Sequence, residues 1–186
     1  MQAGDIIFRG GTDIESAVIR EFSKTDKLFS HCGILLIDND SLKVHHILGG
    51  KDNPKGSVII ESLDSFTVYP QNENMGIYRT NLSMIEINAV KFFIDSVKSK
   101  KVIFDIKFDN KSKEKLYCTE LVIDALLYAT KNKMIFNDTS FYVRNTKYHF
   151  LINNKDSFTF FPIDQFQHSA YLTKVKDFIF PLDKHK

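Results

Sequence analysis

Tryptophan is absent from this chain, and cysteine nearly so: Cys32 and Cys118 are the two thiols among 186 residues. Two cysteines make no disulfide framework. No stretch of 18 apolar residues occurs, which excludes a transmembrane helix. Lys and Arg number 25 against 23 Asp and Glu, a net charge of +2, so the charge balance does not point to nucleic acid. Met1 to Phe8 lacks a basic segment followed by a long apolar one, so no signal peptide is visible, and a complete chain would be expected in the cytoplasm. Gly-x-Gly-x-x-Gly, His-Glu-x-x-His and Cys-x-x-Cys are all missing, which removes the common signatures of a phosphate loop or a zinc site. No repeat or low-complexity segment interrupts the chain. No metal or organic cofactor is expected, and the oligomeric state is not readable.

What is present fits one soluble α+β domain over residues 1–186, with 43% apolar residues. Phenylalanine is abundant at 17 residues; Phe158, Phe160, Phe161 and Phe166 suit a packed core or an apolar cleft equally. Short apolar runs bounded by turn residues predict strands at Ile6–Phe8, Cys32–Ile37, Lys43–Leu48, Ser57–Ser62 and Met75–Arg79, read together as an antiparallel meander. Asn39-Asp40 marks a tight turn. Helical spacing predicts a helix opening at Thr12-Asp13, with Ile14, Val18, Ile19 and Phe22 on one face. A second runs from Met84 to Val97 behind Asn81-Leu82-Ser83, and a third from Cys118 to Thr130. Lys98 to Lys115 reads as a solvated, Lys-rich connection, with an anionic surface as the other reading. Later strands are expected at Phe141–Leu151, Ser157–Phe161 and Phe178–Phe180, with a one-turn helix at Pro162–Phe166.

The chemistry concentrates at two places. Cys118 opens a helix, where first-turn amides and the helix dipole favour thiolate over thiol. His31 opens an apolar strand, from which an imidazole can reach a facing helix. Cys32 alternates to the opposite side of that strand and reads as core. Glu61 ends the run Val58-Ile59-Ile60 and can orient an imidazole on a neighbouring strand. His45 and His46 point to opposite faces, so they do not form a metal pair.

Gly4-Asp5-Ile6-Ile7-Phe8, Ser30-His31-Cys32-Gly33-Ile34, Ile59-Ile60-Glu61-Ser62 and Tyr117-Cys118-Thr119-Glu120-Leu121-Val122 follow one another in this order. The series resembles the circularly permuted NlpC-like papain-fold family, the group of YiiX-like amidases and their poxviral relatives. Phe161-Pro162-Ile163-Asp164-Gln165-Phe166 is similar to that family's Pro-Asp segment. The resemblance spans roughly residues 3 to 170. It implies a papain-like core, an antiparallel sheet packed against helices. It also implies Cys118 as nucleophile, His31 as general base and Glu61 as the residue that orients His31. Tyr117, Phe104 and Phe108 would line the substrate site. The implied activity is thiol-dependent cleavage of an amide in a peptide, a cell-wall peptide or a lipid-linked substrate. An acyltransferase and a non-catalytic lipid- or peptide-binding module are the other readings.

Overall fold

A computed structural model describes residues 1–51, 53–68, 71–108, 110, 114–142 and 157–180. Six strands form one antiparallel sheet: β1 (Ile6–Gly11), β2 (His31–Asp38), β3 (Ser41–Ile47), β4 (Val58–Glu61), β5 (Asn72–Thr80) and, from the end of the chain, β10 (Leu172–Ile179). Their spatial order is β10-β5-β1-β2-β3-β4. β1, β2, β3 and β4 make the expected meander, and β5 does not continue it. β5 returns to the far side of β1, so the opening strand is central.

The β2–β3 hairpin shows how local chemistry sets register. Asn39 and Asp40 both have positive φ (47° and 60°), which asparagine and aspartate tolerate and which a two-residue hairpin of this twist requires. Asp38 pairs with Ser41, Ile34 with His45. That register governs the site.

Four helices cover the sheet. α1 (Ile14–Glu21) is capped by Asp13, whose carboxylate accepts from the Ser16 N–H at 2.7 Å. Val18 and Phe22 are buried, but Ile14 lies in solvent, so the apolar face is narrower than its spacing suggests. α2 (Leu63–Phe66) is one short turn that the sequence reading missed. α3 (Met84–Ser99) starts in a Ser83–Glu86 capping box and buries Ile87, Val90, Ile94 and Val97. α4 (Cys118–Thr130) is buried on nearly every side, between α3 and strands β2 and β3. Ile6, Phe8, Cys32, Ile34 and Leu36 meet α3 and α4 on one sheet face; Ile7, Leu35, Val44, Met75 and Ile77 meet Phe66 on the other.

Two small sheets flank this core: a parallel pair β6 (Ile103–Phe104) and β7 (Lys115–Leu116), and an antiparallel pair β8 (Thr139–Tyr142) and β9 (Ser157–Phe160). The part of the expected strand Phe141–Leu151 beyond Tyr142 lies outside the described residues. The final strand begins six residues earlier than expected: Thr173 to Lys176 is polar because β10 is a half-exposed sheet edge. Among the described residues no helix is long and apolar enough to cross a membrane.

Asp5 explains the Gly-Asp opening. Its carboxylate is fully buried, accepts two bonds from the Arg79 guanidinium at 2.9 Å, and caps the Gln2 N–H. The fork ties β1 to β5. Removing one member of a buried pair strands the other charge. Arg79→Leu, which leaves the buried Asp5 carboxylate without its counterion, is therefore expected to lower the urea midpoint, with part of the loss recovered by adding Asp5→Asn. An unchanged midpoint in Arg79→Leu contradicts this.

Candidate active site

Cys118 is the first residue of α4, and Tyr117 before it is extended and offers no side-chain cap. Cys118 lies in the same buried core as Cys32, the second residue of β2, where α4 packs on that strand. The hydrogen bond from Cys32 lowers the Cys118 pKa most. Burial opposes it, and the charge and hydrogen bond of His31 add to the lowering, so Cys118 lies well below an ordinary thiol. Burial, together with Cys118 itself, pushes Cys32 well above one. Cys32 is core, as strand alternation implies, but the core it joins is the one that contains Cys118.

Glu61 does not reach His31 directly. His46 stands between them: His31 Nε2 to His46 Nδ1 is 2.9 Å, and His46 Nε2 to Glu61 Oε1 is 2.8 Å. The carboxylate needs a donor, so His46 carries its proton on Nε2. Its Nδ1 then accepts from His31 Nε2–H. The His31 nitrogen not engaged by His46 is Nδ1. The hydrogen-bonded chain runs His31, His46, Glu61, so Glu61 meets His31 only through His46.

Gly33 makes room for this relay. It faces His46 across the β2–β3 ladder, and a Cβ there would lie 2.6 Å from Val44 Cγ1 and 3.0 Å from His46 Cβ. Phe66 supports both imidazoles from below, with ring centroids 5.7 Å from His31 and 5.1 Å from His46. Arg9 holds Phe66 in turn, stacking on its ring and donating to its carbonyl at 2.6 Å. Burial drives His46 down to about 4 against the pull of the Glu61 bond, so the contact is neutral imidazole to carboxylate. Burial works to raise Glu61, but the His46 bond and the charges of His46, Arg9 and His31 leave it below the usual range.

The segment after β9 ties the start of α4 to the loop before β2. Tyr117 Oη accepts from the Phe161 N–H at 2.9 Å, and Thr119 Oγ1 donates to the Phe161 carbonyl at 3.0 Å. Both neighbours of Cys118 thus grip one residue. Two residues past Pro162, buried Asp164 accepts from the Thr25 N–H and hydroxyl, on the loop leading to His31. The Pro-Asp segment is a brace.

Tyr117 is fully buried and forms no open wall of the site. Burial raises its phenol far above the ordinary value. It stacks on Phe160 at 5.0 Å and meets Phe108 at 5.5 Å. Phe104 and Phe108 are half-buried, edge to face at 5.9 Å, with Phe104 packed against Gly49. Phe158, Phe160 and Phe166 are buried against other aromatic rings, which decides for core over cleft at those three positions. His45 lies on the opposite face from His46, fully buried, and neither ring nitrogen has a hydrogen-bond partner. Burial and the Lys91 charge hold it at about 4.

Because His45 and His46 stay neutral when folded, the unfolded chain takes up these protons near pH 6.5 and the folded chain only near 4. The stability this contributes is full above about pH 6.5 and is lost as pH falls toward 4. Urea midpoints are expected to drop across that window, and His45→Leu, which removes a ring without partners, is expected to flatten the drop. An equally steep drop in the variant contradicts this.

No protein-family model matches the chain, and no curated protein does. Among solved structures it is similar to the one titled crystal structure of metalloprotein yiiX from Escherichia coli O157:H7, DUF1105. The identity is 20% and the TM-score 0.76, over 97% of this chain and 98% of that one. At that identity the likeness is one of fold: the chain has a yiiX-like α+β fold, with a large antiparallel sheet and four helices.

Proposed function

We propose that this protein is a thiol-dependent hydrolase that cleaves an amide bond through an acyl-enzyme on Cys118. The observation that carries the reading is the hydrogen-bonded chain from His31 through His46 to Glu61, with His31 among the groups that lower the pKa of Cys118 at the start of α4. A structural cysteine has no need of a base held in one tautomer by two further residues. The fold reading that goes with it is a permuted papain-like core, in which the helix bearing the thiol packs on a sheet bearing the imidazole.

His31 Nδ1 takes the Cys118 proton, and the thiolate attacks the substrate carbonyl. The oxyanion that develops is held by the Cys118 backbone N–H at the start of α4. His31, now imidazolium, returns the proton to the leaving amine, and its charge is stabilised through His46 by Glu61. The acyl-enzyme is then released by water that His31 deprotonates. The substrate is a peptide, a cell-wall peptide or a lipid-linked amide.

The yiiX neighbour is titled a metalloprotein. The residues here do not fit a metal: among the described residues no three His, Cys, Asp or Glu side chains are grouped to hold an ion. Both His46 nitrogens are already engaged by His31 and Glu61. No step is routed through a metal.

With p-nitrophenyl acetate as probe, intact-protein mass spectrometry is expected to show one acetyl group on wild type within the first turnovers, mapped to Cys118. Cys118→Ala, still folded by circular dichroism, is expected to show none and to lose steady-state hydrolysis. His46→Phe is expected to keep acetylation but slow it by roughly 10²–10⁴, the usual worth of acid–base assistance. Wild-type hydrolysis in Cys118→Ala contradicts the proposal.

A further inference from the structure

A cavity of about 420 Å³ opens between residues 162–171, the loop before β2 and the stretch 135–139. Its size falls in the ~300–1,000 Å³ range of small-molecule sites. Cys118, His31, His46 and Glu61 do not line it. Phe136, Pro162 and Tyr171 give it apolar walls, and Lys24, Gln165 and His168 give it polar ones. The Gln165 amide is oriented by its own bond: Oε1 accepts from the Asn137 N–H at 3.2 Å. Nε2 is therefore the donor end, and it is buried with no partner among the described residues. A buried donor left unsatisfied costs free energy that an acceptor on a ligand restores.

His168 adds a second donor. The Thr25 hydroxyl gives its one proton to Asp164 Oδ2 at 3.0 Å. Toward His168 it can then only accept, so His168 Nε2 carries a hydrogen. The other ring nitrogen also becomes a donor when the imidazole is charged, a state that a nearby anion favours. Lys24, exposed at the same cavity, supplies an ammonium on a flexible stem. Asp164 is the only acid among the described residues that line it. Its Oδ2 is already met by the Thr25 N–H and hydroxyl and the Asp26 N–H. We propose that this cavity binds a small organic monocarboxylate with an aromatic body. The carboxylate meets Gln165 Nε2, Lys24 and His168, and the body lies against Phe136, Pro162 and Tyr171. The inference stands apart from the hydrolase reading, since it uses none of the residues of that reaction.

The test titrates the isotope-labelled full chain with phenylacetate and follows its amide signals by NMR, with neutral phenylacetamide as the matched control. Phenylacetate is expected to give saturable shifts at Thr25, Asn137, Ser169 and the Gln165 side-chain amide. Phenylacetamide is expected to bind about tenfold more weakly, the worth of one charge-assisted hydrogen bond. Gln165→Glu keeps an oxygen for the Asn137 N–H but replaces the donor with an anion, and is expected to abolish binding. Lys24→Met is expected to weaken it several-fold. The proposal is overturned by wild-type protein that shows no saturable shifts at these positions, by equal affinity for the neutral amide, or by unchanged affinity in Gln165→Glu. The first two results need no variant to fold. Since no substrate turnover enters the readout, failure here and failure of the hydrolase reading are separately visible.

Discussion

The packing of the α4 N-terminus onto the first two residues of β2 is the contact on which the site depends. It puts a thiol at a helix N-terminus, with an imidazole and a second thiol among the groups that act on its charge. Each of these stabilises negative charge on sulfur, while burial opposes it. The lowered pKa is the balance of those effects. It would be lost if α4 slid or rotated against the sheet, because hydrogen bonds and charge contacts in a buried site fall off steeply with distance.

Much of the remaining structure keeps that contact in place. Tyr117 and Thr119 grip Phe161 on either side of the nucleophile, and Asp164 ties the same segment to the loop before His31. Asp5 and Arg79 fix the neighbouring strands. On the opposite face, Arg9 and Phe66 form a platform for the two imidazoles. Buried polar groups in this protein are mostly devices of alignment: each joins two segments distant in sequence.

The parts of the site legible in the sequence were those set by local rules. Cys118 at a helix start and His31 at a strand start follow from apolar spacing alone, and the structure brings them together. His46 was missed as a functional residue because adjacent histidines invite a metal question, which alternation answers in the negative. The signal that could have found it was the Asn39-Asp40 turn. Pairing Asp38 with Ser41 sets every later pair of the hairpin, and it puts His46 opposite Gly33, on the face of His31. The central place of β1 was not legible, because β5 returns to it across the sheet and no local signal specifies a return. β10 was largely hidden for a related reason: an edge strand with Lys174 and Lys176 exposed does not read as apolar.

The central claim is that Cys118 is a thiolate maintained by a base that His46 holds in place. The most direct measurement is the pH dependence of iodoacetamide alkylation at Cys118 in wild type, His31→Ala and His46→Phe, mapped by peptide mass spectrometry. The account predicts rapid labelling of wild type well below the free-thiol pKa of about 8.5, with the profile moving toward that value in both variants. A wild-type profile like that of a free thiol, unmoved by either substitution, would contradict it.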